Sequence, residues 1–331
     1  MNYKTDEYFH NVYQEAEESR ETQSVNKAAL ASMLGDFQEK KSGRPPEMLE
    51  TKELSAYRRE RYVFHYTDDR PGPVYVLTPK NGEERHPAVL ALHGHGYGSR
   101  EIAGLTENGE EDEEGSGIHR QFAALLASRG FKVFAPEIIG FGDRRLDEDK
   151  RRDRPKSCYK MAAQLLSVGK TLAGLRVQEA RLLLDDMATF PDVNESGPGI
   201  MGFSGGGLIA AYTAALDERV QAAVLSGFVN IYKESLWPME HCLDNYVPGL
   251  LSGAELPAYI GLAAPRPLFI ESGQRDPIFP LKGAEKAVEM LRDIYQNQQA
   301  AGELEWEPFD GAHEVRAVRC VSWLREHLSS H

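Results

Sequence analysis

Gly202-Phe203-Ser204-Gly205-Gly206 follows the apolar stretch Pro198-Gly199-Ile200-Met201 and precedes the small-residue run Gly207-Leu208-Ile209-Ala210-Ala211. The pattern predicts a strand, a sharp turn and a helix, with a serine at the apex. A turn that tight forces the serine into a strained backbone geometry, which is easy only if glycine stands two residues before and two after. The hydroxyl is then presented at a helix N-terminus, where unsatisfied N–H groups and the helix dipole favour developing negative charge. Gly and Ser are common, so these five residues gain meaning only from a base, an acid and an oxyanion donor elsewhere.

Outward from this turn, Ala88–Leu92, Lys132–Ala135, Ala222–Leu225 and Pro267–Ile270 read as further strands. Continuous apolar runs such as Ala88–Leu92 suit strands buried on both faces. Helical patterns separate them at 121–128 and about 173–188, and a last one covers about 315–328. Leu304–Phe309 is shorter and more polar, which predicts an edge strand. Tyr62–Tyr66 and Val74–Leu77 flank the turn signal Asp68–Pro73 and predict a hairpin. The expected class is α/β: a mostly parallel central sheet with helices on both faces, after an antiparallel start.

A chain of 331 residues can run as one such domain. Residues 1–46 form a helical N-terminal extension in this reading. Its apolar sets are Tyr8, Phe9, Val12, Tyr13 and then Ala28, Leu30, Met33, Leu34, Phe37, and the break Lys41–Pro46 closes it. The domain proper spans 57–330, with a cap-like insertion at about 231–260.

In open α/β sheets, sites form beyond the C-terminal ends of the parallel strands. Pro267–Ile270 runs into Glu271-Ser-Gly-Gln-Arg-Asp276, and Leu304–Phe309 runs into Asp310-Gly-Ala-His313. A serine hydroxyl alone is a poor nucleophile. His313 would take the proton of Ser204, and Asp276 would hold the histidine tautomer and stabilise the imidazolium. Glu271 is the second candidate for the acid. The oxyanion donors are expected to be the N–H of Gly205 and that of His95, or alternatively Gly96, within Leu92-His-Gly-His-Gly-Tyr-Gly98.

Arg144 follows another strand end and could meet a substrate carboxylate or sugar, although a structural ion pair is the commoner role. Trp237, Met239 and Tyr246 of the insertion are candidates for the substrate pocket, against ordinary helix packing.

The formal charge of -13 argues against a general nucleic-acid or anionic-membrane surface, because phosphates would be repelled. Cys158, Cys242 and Cys320 are far apart with no C-x-x-C spacing, so neither a zinc site nor a disulfide framework is expected. His93 and His95 have no third ligand nearby, and neither metal nor cofactor is expected. The acidic run Glu107–Glu114 reads as a solvated loop. A polar N-terminus and the lack of a membrane-length apolar run predict a cytoplasmic protein. Any homo-oligomer is expected to use the N-terminal helices.

Four ordered motifs, His93-Gly-His-Gly96, Gly202–Gly206, Gly273-Gln-Arg-Asp276 and Gly311-Ala-His313, resemble those of the α/β-hydrolase superfamily. Within it, residues 57–330 are similar to the dienelactone-hydrolase-related and acetyl-xylan-esterase-like carboxylesterases. The resemblance implies the fold, Ser204, Asp276 and His313 as a triad, and ester hydrolysis without a cofactor. The chain departs from the dienelactone hydrolases at the nucleophile, where they carry cysteine, and in its N-terminal extension. Small or short-acyl esters, acetylated carbohydrate included, are the expected substrates. The alternatives are a serine peptidase of prolyl-oligopeptidase type, for which the chain lacks propeller repeats, and a non-catalytic binding protein on the same fold.

Overall fold

In the computed structural model, which describes residues 4–20, 25–37 and 39–328, the apolar runs form the middle of a nine-stranded sheet. The strands are β1 (Glu47–Glu53), β2 (Tyr57–Thr67), β3 (Arg70–Pro79), β4 (Ala88–Leu92) and β5 (Lys132–Pro136). They continue with β6 (Gly199–Phe203), β7 (Ala222–Ser226), β8 (Leu268–Gly273) and β9 (Leu304–Phe309). The spatial order is β1-β2-β3-β5-β4-β6-β7-β8-β9. Pairing is antiparallel from β1 through β3 to β5, and parallel from there to β9.

Alternation along the central strands sorts their side chains onto two cores. Leu90, Leu92, Ile200, Leu225 and Ile270 face one side, against Leu183 and Ile209 of the helices Leu172–Met187 and Gly205–Leu216. Val89, Ala91, Met201, Val224 and Phe269 face the other, against Phe122 of Phe122–Ser128 and Trp323 of Arg319–Leu328. Both faces being covered is why these strands carry almost no polar residue.

Several boundaries differ from the sequence reading. The sheet begins at Glu47, before Tyr57, because β1 is a wholly exposed edge strand of sequence Glu-Met-Leu-Glu-Thr-Lys-Glu. Its pairing with β2 leaves no apolar alternation to read. The hairpin turn is only Asp68–Asp69. Pro71 and Pro73 belong to β3, in the stretch beyond the Val74–Leu77 segment that β5 flanks, where a missing N–H is tolerated. A helix at Leu281–Asn297 buries Ala284, Ala287, Val288, Leu291 and Tyr295 as one stripe. The last helix starts at Arg319 instead of Val315, because the Val315 N–H is tied to the Ile118 carbonyl.

Two helices, Thr5–Ser19 and Lys27–Leu34, make up the described part of the N-terminal extension. Leu30 and Leu34 are buried, and the Leu34 carbonyl accepts from Thr171 Oγ1 at 2.6 Å. A Cβ on Gly174 would stand 2.1 Å from that carbonyl, so glycine is what lets the extension approach. Tyr13 is buried, edge-on to Trp237, with its hydroxyl on Glu255 at 3.1 Å. Tyr8 and Phe9 remain exposed.

Candidate active site

Ser204 stands between β6 and the helix Gly205–Leu216 with φ 53 and ψ -118, a conformation that non-glycine residues rarely adopt. The flanking glycines are sterically required. A Cβ on Gly202 would lie 2.1 Å from the Gly206 carbonyl, and one on Gly206 would lie 2.1 Å from that of Leu92. The strained turn is anchored by Ser204 N–H donating to Ser226 O at 2.9 Å.

His313 follows β9 and donates from Nδ1 to Asp276 Oδ2 at 2.7 Å. The other carboxylate oxygen, Oδ1, accepts from Ile278 N and Phe279 N at 2.8 and 2.9 Å, so Asp276 is held from both sides. With Nδ1 facing a carboxylate, the neutral ring keeps its lone pair on Nε2. The imidazole packs on Phe203, the residue before the serine, at 4.7 Å between ring centroids, and against Phe279 at 5.8 Å.

Glu271, the other acid considered, lies within β8 and is fully buried, with Oε1 accepting from Ala317 N at 3.0 Å. Its partner is that backbone amide, and the carboxylate on His313 is Asp276. Burial pushes the Glu271 carboxyl above its ordinary value of 4.5. The folded chain therefore keeps a proton that the unfolded chain releases. The stabilisation from this group is complete below that ordinary value and is lost as pH rises towards the folded value. Glu271→Gln, which keeps the acceptor for Ala317, is expected to melt progressively higher than the parent as pH rises from about 4 towards the raised folded value. A melting difference that is flat across that range would refute it.

The glycine-rich loop after β4 is pinned by two buried histidines. His93 donates from Nδ1 to Gly94 O at 2.8 Å and accepts from Ile138 N at Nε2, at 3.1 Å. His119 accepts from Gly94 N at Nε2, at 2.9 Å, while its Nδ1 meets Glu101 Oε1 at 2.8 Å. Burial lowers the pKa of His119, consistent with a neutral ring that accepts. Gly94 N–H is thus taken, which leaves the amides of His95 and Gly96 as the loop's candidates for an oxyanion. The His95 ring lies 3.2 Å from where a Cβ on Gly205 would be. His119 lies in a loop with no motif, and nothing in its sequence context marks it.

The remaining candidates are placed elsewhere. Arg144 is buried and forks onto Glu179 at 2.6 and 2.8 Å, with Tyr66 under the guanidinium at 5.2 Å. Its guanidinium is engaged in an ion pair, the commoner of the two roles considered for it. Trp237 and Tyr246 line a cavity of about 550 Å³ with Phe9, Leu236 and Leu251, between the N-terminal helix and the insertion. No residue of the Ser204, Asp276 and His313 group lines it. Met239 contributes its carbonyl to the Tyr246 hydroxyl at 3.1 Å.

The insertion instead sends other residues towards the serine. His241 lies 5.2 Å from Phe279, and Asp244 lies 3.8 Å from a Cβ built on Gly205. Asp244 is buried in a salt bridge with Arg176, whose Nη2 also donates to Cys158 Sγ at 3.1 Å. The Cys242 hydrogen bond, and after it the Arg176 guanidinium, hold the Cys158 thiol below the ordinary thiol range. The acidic loop is anchored as well: Glu111 pairs with Arg59 and Lys52, tying 107–114 to β1 and β2. Among the described residues, no helix is long and apolar enough to cross a membrane.

The relatives agree with this architecture. Residues 73–308 match the model of the Dienelactone hydrolase family. The proposed hydrolase YtaP of Bacillus subtilis (strain 168) is 30% identical over 282 residues, covering 82% of this chain and 87% of its own. Among solved structures, a proposed acetyl xylan esterase from Bacteroides fragilis NCTC 9343 superposes with a TM-score of 0.71 at 17% identity, over 89% of this chain and 76% of its own. A glucuronoyl esterase from Solibacter usitatus does so with a TM-score of 0.61 at 15% identity, over 90% of each chain. At such identities the structures share the fold, whereas the family match spans the sheet from β3 into β9 together with the Ser204 turn and Asp276. On these grounds the chain belongs to the dienelactone hydrolase family, as an esterase-like hydrolase of α/β-hydrolase fold.

Proposed function

We propose that the protein is a serine carboxylesterase that cleaves small or short-acyl esters, acetylated carbohydrate among them, through an acyl-enzyme on Ser204. One observation carries the reading: a serine at φ 53 on a strand-to-helix turn, with a part-buried Asp276–His313 pair of 2.7 Å whose imidazole packs on the residue before it. In this mechanism His313 Nε2 takes the Ser204 proton as Oγ attacks the ester carbonyl. The amides of His95 and Gly205 then stabilise the oxyanion, each worth about 3 kcal/mol of barrier. His313 passes the proton to the leaving alcohol, and a water activated by the same nitrogen releases the acid. Asp276 stays ionised and keeps Nδ1 protonated throughout. Neither a metal nor a cofactor enters these steps, and the fixed partner is the ester.

The names of the structural neighbours, acetyl xylan and glucuronoyl esterases, support carbohydrate esters as the class to try first. The test is a panel of p-nitrophenyl esters of increasing acyl length, acetylated xylo-oligosaccharides and aminoacyl p-nitroanilides, with fluorophosphonate labelling mapped by peptide. Short esters are expected to turn over fastest, with the label on Ser204. Faster p-nitroanilide cleavage would make the protein a peptidase. A folded protein that neither labels nor turns over would be a binding protein.

A further inference from the structure

We propose that His95, Cys158 and Cys242 form a binding site for a borderline-soft divalent cation of the zinc class. The three residues come from separate segments: the loop after β4, the first residue of the helix Cys158–Leu166, and the insertion. A ring nitrogen of His95 and the two Sγ atoms all lie within 4.8 Å of one another. Zinc bonds of about 2.0 to 2.3 Å place tetrahedral ligands less than about 4 Å apart, so a modest closing of the side chains suffices. His95 Nε2 is sealed from solvent and has no hydrogen-bond partner of normal geometry, while the side chain already interacts with the Cys158 thiol, so the ring is placed beside a sulfur with which it would share a cation.

The donor set selects the metal. Two thiolates and an imidazole favour zinc or another borderline-soft ion over magnesium or calcium, which take oxygen ligands. Three protein ligands leave a fourth position for water. The charges also close. Buried Arg176 and Asp244 neutralise each other, and two thiolates neutralise a divalent cation. Binding would release the thiol protons to solvent, and the Arg176 N–H on Cys158 Sγ at 3.1 Å is a suitable outer contact for a metal-bound thiolate. Sequence spacing gave no hint of this group, because its members are far apart in the chain. A bound ion would tie the proposed oxyanion loop to the insertion. The site stands independently of the esterase reading, since Ser204 is not a ligand.

The experiment titrates cobalt(II), then zinc, into reduced, metal-free full-length protein. One equivalent of cobalt is expected to give tetrahedral visible bands and a thiolate charge-transfer band, displaced by zinc, together with a rise in melting temperature. Cys158→Ser and Cys242→Ser should each weaken binding by at least about a hundredfold, and His95→Ala by at least about tenfold. Ser204→Ala and Cys320→Ser should bind as the parent does. Should the buried Cys158→Ser fail to fold, His95→Ala and Cys242→Ser carry the test. A cobalt spectrum that stays octahedral, or thiolate bands that keep their full parental intensity in Cys242→Ser, would overturn the proposal. So would two thiols that resist Ellman's reagent without metal and return on reduction, which would mark a disulfide pair.

Discussion

Replacing Ser204 with alanine is expected to lower ester turnover by about four to six orders of magnitude with little change in the melting curve. The loss is that large because the nucleophile and its base act as a unit, and only the oxyanion donors and substrate binding remain. Alanine keeps a Cβ, so the backbone at φ 53 stays as strained as before. Glycine at the same position should be equally inactive and more stable by roughly 1 kcal/mol, because it adopts positive φ without steric cost. Steady-state turnover of p-nitrophenyl acetate, read beside thermal melting, checks both halves. An alanine variant at parental rate would remove Ser204 from the mechanism, and a glycine variant no more stable than alanine would remove the strain.

Asp276→Asn is expected to cost about 10⁴ in kcat while leaving the site folded. Asn Oδ1 can still accept from the Ile278 and Phe279 amides, at the 2.8 and 2.9 Å seen for the aspartate. The amide NH2 would then face His313 Nδ1 where Oδ2 now accepts at 2.7 Å. Two donors cannot share that contact, so the ring would shift its proton to Nε2 and lose the base that Ser204 needs. The buried neighbour Glu271 provides the contrast, since its amide variant alters pH-dependent stability and leaves kcat near the parent. Pre-steady-state acylation rates for the two amide variants separate these roles. Equal losses from both would mean that the carboxylates had been wrongly distinguished.

How much was legible follows from how local each signal is. The turn at Ser204 could be read because its strain demands glycines within two residues of the serine. The central strands could be read because burial on both faces removes polar residues from them. Asp276 and His313 could be proposed because parallel strands end at a common rim. Their contact could not, and neither could the choice between Asp276 and Glu271, which differ by five positions on one strand and its loop. Residue type and spacing do not say that one carboxylate points past the strand end while the other turns into the core.

Polar partners were the least legible. β1 is as polar as any loop and becomes a strand only because β2 offers it an edge. Arg144 has the composition of a substrate contact and the surroundings of an ion pair, since Glu179 reaches it from a helix. Trp237 and Tyr246 suited a pocket and do line one, but beside the N-terminal helix and away from the serine. His119 on Gly94, Asp244 beside Gly205, and the meeting of His95 with Cys158 and Cys242 depend on chain crossings that no periodicity encodes. The sequence by itself determined the central strands, the strained serine turn and the strand ends from which the site is built, because backbone sterics and burial act over a few residues. Only the tertiary structure decided which charged and sulfur-bearing side chains meet around that turn, because such contacts are set by how distant segments pack.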